Sequence, residues 1–279
     1  MRLYSIETGF FKLDGGAMFG VVPKTLWQRT NPADENNRIE MAARSLLIED
    51  GDRLILIDTG MGNKQSERFF SHYARWGEAS LDQSLKNVGF HRDDITDVFL
   101  THLHFDHCGG AIQRNANGGY EPAFKNARFW SHADHWQWAT APNAREKASF
   151  LSENILPIEE SGQLNLLNSH KTPLGFDVLL MDGHTEKQML PVLNYQGKTI
   201  VFAADLIPTA GHLPIPYVMG YDTRPLITLN EKKDFLTTAA DNNYLLFLEH
   251  DPTKELISLE KTEKGVRMDA HFRLKNYFS

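Results

Sequence analysis

The chain is almost without cysteine. Its 279 residues include one, Cys108, so no disulfide can close within it. Positive charge is also in short supply: 29 lysines and arginines face 36 acids, a net charge of −7. That balance argues against a nucleic-acid partner, which would call for a basic face. No apolar run approaches the length of a membrane span. The opening residues, Met1-Arg2-Leu3-Tyr4-Ser5-Ile6-Glu7, have no long apolar stretch behind their arginine. The expectation is a soluble, cytoplasmic protein with no membrane partner. No internal repeat or low-complexity segment is present. With 41% hydrophobic residues the chain can bury one sizeable core. We read residues 1–279 as one domain carrying a helical insertion at about 132–161.

What the chain does have is histidine gathered in one place. His102-Leu103-His104-Phe105-Asp106-His107 follows directly on the apolar run Val98-Phe99-Leu100 and leads into Gly109-Gly110. A strand therefore runs into a loop crowded with imidazole and carboxylate, which suits a borderline divalent ion such as zinc. His102 and His104 alternate with Leu103 and can point the same way. Asp106 and His107 are adjacent, so their side chains diverge toward a second centre.

The rest of the chain repeats this arrangement. Short apolar strands are expected at 45–49 and 53–57, joined by Asp50-Gly51-Asp52, then at 97–100, 128–131, 176–181, 190–195, 199–203 and 244–248. Helical spacing marks 64–88, 144–156 and 225–240, and 109–113 begins a further short helix. Residues 1–44 are mixed, with a turn-rich loop at 30–38. Strands end at Asp58, His102, His184, Asp205 and His250. An apolar strand needs no polar tip for its own stability, and loops on a rigid scaffold are where reactive residues are placed. By residue type, His102, His104 and His184 suit one metal. Asp106, His107 and His250 suit another, and Asp205 has two oxygens with which to bridge them. Two such ions can hold a bridging hydroxide at neutral pH. Asp58 is expected behind them, accepting a ligand imidazole N–H.

Asp58-Thr59-Gly60, Thr101-His102-Leu103-His104-Phe105-Asp106-His107, Gly183-His184-Thr185, Asp205 and His250, in that order, resemble the motif set of metallo-β-lactamase-fold hydrolases. The form His-Leu-His-Phe-Asp-His-Cys-Gly-Gly looks most like the branch holding N-acyl-homoserine lactone lactonases and methyl parathion hydrolase-like enzymes. The resemblance implies an α/β fold, an αββα sandwich of two mixed β-sheets flanked by helices, with a dinuclear site at one edge. It also implies hydrolysis of a lactone, aryl ester or phosphotriester in a small-molecule substrate. Zinc is the default metal, with iron, manganese or cobalt as alternatives. Two departures stand out. Glu186-Lys187-Gln188 follows Gly183-His184-Thr185, where the family often has Pro-Gly-His. No tyrosine closely follows Asp205, which leaves His212, Tyr217 and Tyr221 as candidates to polarise a substrate carbonyl. Of these, His212 and Tyr221 are taken as catalytic alongside Asp106.

For the substrate pocket the expected residues are Phe19, Trp27 and Phe105, with ordinary core packing as their alternative. Trp136 and Trp138 are candidates for an entrance or for a subunit contact in a homodimer. His132 and His135 are not needed as ligands, and Cys108 reads as a small buried residue. Competing functions are a glyoxalase II-like thioesterase, which would need a basic pocket from scattered Lys254, Lys261, Lys264, Arg267, Arg273 and Lys275, and a non-enzymatic metal-binding module. β-Lactam hydrolysis is disfavoured because the lone cysteine is not at a ligand position.

Overall fold

The computed structural model describes residues 1–278. Fourteen strands are assigned among them, and nearly all fall into two six-stranded sheets built one after the other along the chain. The first sheet uses β1 (Arg2–Asp14), β2 (Arg38–Asp50), β3 (Arg53–Ile57) and β4 (Asp97–Phe99). A small hairpin, β5 (Ile112–Arg114) and β6 (Tyr120–Pro122), intervenes before β7 (Arg128–His132) and β8 (Leu164–Leu167) complete it, in the order β1-β2-β3-β4-β7-β8. The second sheet uses β9 (Asp177–Met181), β10 (Gln188–Tyr195), β11 (Lys198–Phe202), β12 (Leu245–Phe247), β13 (Leu256–Thr262) and β14 (Gly265–Phe272). Their order is β14-β13-β12-β11-β10-β9. Both sheets are mixed: β3, β4, β7 and β8 run parallel, as do β11 and β12, and the remaining neighbours pair antiparallel.

Two apolar layers explain the stacking. Along β3, Ile55 and Ile57 join Phe99, Phe202, Phe247 and Ile257 between the sheets. Leu54 and Leu56 point the other way, against Leu81, Leu85, Ile155 and Ile158 from the helices Leu81–Asn87 and Ser152–Glu160. A strand buried on both faces reads as an unbroken apolar run, as Arg53-Leu54-Ile55-Leu56-Ile57 does. On the far side, the helix Pro225–Asp241 adds Phe235, Leu236 and Ala239 to the inner cluster. The layers are helix, sheet, sheet, helix, as the resemblance implied. No helix among the described residues is long and apolar enough to cross a membrane.

Several local expectations are corrected. The 64–88 stretch is two short helices, Glu67–Ser71 and Leu81–Asn87, each capped by a serine hydroxyl, with Gly77 at φ 73° between them. The 144–156 helix starts only at Ser152, and the residues before it are turns. Residues 109–111 form one 3₁₀ turn before β5. The mixed N-terminal region contains β1 and β2, two 13-residue strands paired along their length. Their pattern is hard to read because β1 is half-buried rather than cleanly alternating.

The metal-type loop is seated by backbone contact. Thr59 donates its N–H to the His107 carbonyl (2.7 Å), and Gly110 donates to the Gly60 carbonyl (2.9 Å). This approach requires glycine: a Cβ on Gly110 would lie 2.2 Å from the Thr59 carbonyl oxygen. Gly110→Ala should therefore lower the unfolding free energy by about 1–3 kcal/mol. The measurement is the urea midpoint, and a shift of less than about 0.5 kcal/mol would show that the Asp58–Gly60 turn yields freely.

Candidate metal centre

Every imidazole of interest sits just beyond a strand: His102 after β4, His184 after β9 and His250 after β12, with Asp205 after β11 and Asp58 after β3. The first sheet supplies Asp58 and the His102–His107 loop. The second supplies the other three residues. The edges are tied where they meet. Ala42 and Arg44 on β2 donate backbone N–H groups to the carbonyls of His250 (3.0 Å) and Glu249 (3.1 Å). The buried Arg44 guanidinium donates to the carbonyls of Leu248 (2.7 Å) and Asp251 (2.9 Å) and pairs with Glu7 at 2.6 Å. Met189 donates to the Thr101 carbonyl at 2.9 Å, which fixes the other flank.

The outer nitrogens of His102, His107, His184 and His250 are hydrogen-bonded, and the partner dictates the tautomer. Asp58 accepts from the Thr101 hydroxyl (2.6 Å) and N–H (2.8 Å), so Thr101 Oγ1 is left to accept from His102 Nδ1 at 3.1 Å. His107 Nδ1 donates to Asp58 at 3.0 Å, with Glu249 also 3.0 Å away. His184 Nδ1 donates to Asp222 at 2.8 Å, and His250 Nδ1 donates to the Ala42 carbonyl at 2.8 Å. His104 is turned the other way round: its Nε2 faces Glu146 at 3.5 Å, and its Nδ1 points inward.

The inner nitrogens converge into two groups. His104 Nδ1 lies 3.0 Å from His102 Nε2 and 3.2 Å from His184 Nε2. His250 Nε2 lies 3.1 Å from His107 Nε2, and Asp106 Oδ2 is 3.9 Å from both. Asp205 divides between the groups, with Oδ2 3.1 Å from His184 and Oδ1 3.0 Å from His250. Lone pairs facing one another in a buried space are unfavourable unless a cation lies between them. Asp205 Oδ1 is moreover buried with no well-aligned hydrogen bond. The donor set, imidazoles with carboxylates, fits two borderline divalent ions. Asp58, His107 and Glu249 also cluster. There the imidazole presents the N–H that Asp58 accepts, so we read this cluster as support for His107.

The electrostatics agree. Burial first, then the neighbouring imidazoles of His107 and His104, push His102 well down and keep it neutral. Burial opposes charging of His184 and His250, yet Asp205 with Asp222 lifts the first to about 10, and Asp205 with Glu249 lifts the second to about 9. Burial raises Glu249 to about 8, against the pull of His107. The Asp205 carboxyl is held well below the usual range, because His184, His250 and His107 outweigh its burial.

The cavity beside these groups has a volume of about 350 Å³. Phe105 and Tyr221 line it, as do Asp106, Asp205 and three of the histidines. Phe19 and Trp27 do not. Both are fully buried and stack on each other at 5.2 Å, so the wall falls instead to Met18, Met41, Met219, Leu13 and Tyr73. His212 is also displaced from the expected role. It stacks on Phe19 at 4.2 Å, with Nδ1 on the Thr209 hydroxyl (2.8 Å) and Nε2 on the Met18 carbonyl (2.9 Å). Both ring nitrogens are committed, and it is absent from the cavity wall. Tyr217 meets Phe19 edge-on, at 6.0 Å. Trp136 is buried in the outer apolar layer and Trp138 donates to Glu146 (2.7 Å), so neither forms an open entrance. His135 braces the loops, accepting from Leu103 N–H (2.8 Å) and donating to the Glu186 carbonyl (2.5 Å). Cys108 is buried and donates to the Leu103 carbonyl.

Asp222, Glu146 and Glu249 were not foreseen. Glu249 had a signal, a carboxylate at an apolar strand end beside His250. Asp222 and Glu146 lie in turns with no pattern of their own.

Comparison with known proteins follows the same line. The model of the metallo-beta-lactamase superfamily matches residues 39–250. The N-acyl homoserine lactonase AiiB of Agrobacterium fabrum is 26% identical over 146 residues, 48% of this chain and 52% of the relative, so that match spans about half the relative's length. The N-acyl homoserine lactonase AiiA of Bacillus thuringiensis subsp. kurstaki is 25% identical over 225 residues, 75% of this chain and 81% of the relative. A probable metal-dependent hydrolase from Staphylococcus aureus superposes with a TM-score of 0.88 at 29% identity, over 97% of this chain and 96% of the other.

Two outcomes are expected. Asp222→Asn should weaken divalent metal affinity about 10–100-fold, read by competition with a chromophoric chelator; unchanged affinity would remove Asp222 from His184's support. Metals require neutral imidazoles, while His107, His184 and His250 are all raised and hold protons at pH 8 in the metal-free protein. Loading at pH 8 should therefore release about three protons per chain, and apparent affinity should rise with pH toward 9–10. Calorimetry in buffers of different ionisation enthalpy measures the release, and none at all would contradict this charge arrangement.

Proposed function

Because the chain belongs to the metallo-beta-lactamase superfamily of metal-dependent hydrolases, we propose that its two nitrogen groups form one dinuclear centre that hydrolyses ester-like bonds in small molecules. Lactones come first, with aryl esters and phosphotriesters next. The observation that carries this reading is the divided Asp205 carboxylate, one oxygen about 3 Å from a nitrogen of each group. The lactonase names of AiiA and AiiB support the order of substrates. His102, His104 and His184 would hold one ion, and Asp106, His107 and His250 the other, with Asp205 between them. Metal ions there supply Lewis-acid polarisation and a water of lowered pKa. Zinc fits the donors, as would iron, manganese or cobalt.

The protein's own groups supply the rest. The methionines with Leu13 and Phe105 form an apolar wall for an acyl or aryl group. Asp106 both meets the second nitrogen group and lines the cavity. It is placed to take the proton of the attacking water and hand it to the leaving alkoxide. Burial first, then Asp106, raises the Tyr221 hydroxyl to about 12, so it stays protonated and can donate to the developing oxyanion.

The thioesterase alternative wants a basic pocket. Among the described residues the cavity wall holds a single lysine or arginine, Arg145, and none of the C-terminal cations. Lys254 pairs with Asp251, Lys261 with Asp241 and Arg273 with Glu255 instead.

The test is a metal count and a chelator-sensitive panel of lactones, aryl esters, phosphotriesters and thioesters. Asp106→Asn should retain at least one metal per chain and lose about 10²-fold or more in kcat. Tyr221→Phe should lose about tenfold in kcat with a smaller change in KM. Fewer than one metal per chain, or chelator-insensitive turnover, would sink the proposal.

A further inference from the structure

One charge on the cavity wall has no part in the chemistry above. Arg145 comes from the loop before the Ser152–Glu160 helix and is held across the opening to the 217–223 segment. Its Nη2 donates to the Gly220 carbonyl and to the Asp222 carbonyl (3.2 Å). Both anchors are neutral, and no carboxylate among the described residues pairs with this guanidinium. Arg224 and Arg44, by contrast, pair with carboxylates, Glu186 at 2.5 Å and Glu7 at 2.6 Å. The acids sharing the cavity wall are already engaged. Asp106 and Asp205 face imidazole nitrogens. Glu146 accepts from Thr185 (2.6 Å), Trp138 (2.7 Å) and Asn143 (2.6 Å). Arg145 is thus an exposed cation with no carboxylate partner, oriented by two carbonyls at a wall that also carries three methionines and the rings of Tyr73, Phe105 and Tyr221. Its Nε and Nη1 are left to donate, and guanidinium is the group best suited to a planar oxyanion.

We propose that Arg145 receives a carboxylate carried by the substrate away from the bond that is cut, so that the preferred substrates are esters or lactones with an acidic tail. The bond cleaved rests on the ester-hydrolase reading above; the contact with Arg145 does not. The apolar residues then bind the chain between the two ends. Hydrolysis creates a second carboxylate at the metal end, which Arg145 does not touch, so the product is a diacid or hydroxy-diacid.

The experiment compares the metal-loaded full chain with Arg145→Met and Arg145→Gln. The glutamine keeps a donor for the Gly220 carbonyl without the charge, and it guards against loss of the loop bridge. The substrates are p-nitrophenyl hexanoate and mono-p-nitrophenyl adipate, which have acyl chains of equal length ending in methyl or carboxylate. The wild type should prefer the adipate ester in kcat/KM. Both variants should reduce that preference about tenfold or more, chiefly through KM. No preference in the wild type, or a preference both variants retain, overturns the proposal. An equal loss on both esters makes Arg145 a loop bridge only and also overturns it. Calorimetric binding of N-methyl adipamic acid against N-methylhexanamide reads the contact without turnover. Tighter binding of the acid that both variants abolish supports the proposal, and equal binding of the two overturns it. If neither ester is cleaved while the acid still binds through Arg145, the ester-hydrolase reading fails and the contact stands.

Discussion

The organising constraint is the mutual approach of imidazole nitrogens in a dry space. His102 and His184 each place an inner ring nitrogen within 3.0–3.2 Å of His104 Nδ1, and His107 and His250 approach to 3.1 Å. Nothing in the packing of an ordinary core favours such a grouping. It persists because each ring is held from behind, by Thr101, Asp58, Asp222, Ala42 or Glu146. Those partners have to come from both sheets, and this requirement explains otherwise odd features: a buried arginine on β2, a glycine pair pressed against the Met61 and Thr59 carbonyls, and two long N-terminal strands that carry the β2 edge to the His250 turn.

The αββα architecture serves that requirement. Both sheets are anchored by apolar side chains on their inner faces, and the first is also covered by helices, so the strand tips are fixed relative to one another without help from the site. The scaffold can then carry strain at the tips. Asp58 and Ala204 both adopt the left-handed region, at φ 57° and 40°, next to the groups they position. A non-glycine residue there costs about 1–2 kcal/mol, which is tolerable only where the surroundings dictate the backbone.

How much of this the sequence carried depends on how local each signal is. The His102–His107 run, the apolar run of β3 and the polar strand tips are local, and the structure brings the polar residues together. The partners behind the rings come from turns remote in sequence. Asp222 meets His184 across 38 positions and Glu249 meets His107 across more than a hundred, so no periodicity could announce them. The aromatic candidates failed for a related reason. Phe19, Trp27 and His212 have the composition of a pocket, but stacking on one another satisfies them better than facing solvent would, and both His212 nitrogens find partners in Thr209 and Met18. Methionines supply the wall instead. Three of the chain's eight stand there, and their unbranched thioethers conform to a ligand's shape.

The region read as an insertion links the fold to the site's chemistry. Its turns hold Glu146 behind His104 while Arg145, the next residue, faces the cavity. Adjacent side chains of opposite charge therefore share one wall, the carboxylate facing a ring and the guanidinium bridging to the Gly220 and Asp222 carbonyls. His135, in the helix just before, ties the Leu103 and Glu186 backbones together. Glu186 also receives Arg224, so the segment after His184 is locked by charge. A segment that braces two histidine loops and also presents a cation to the cavity cannot vary in one role without disturbing the other. The fixed geometry of the metal-type cluster and the selectivity of its pocket are thus coupled through residues 135–146.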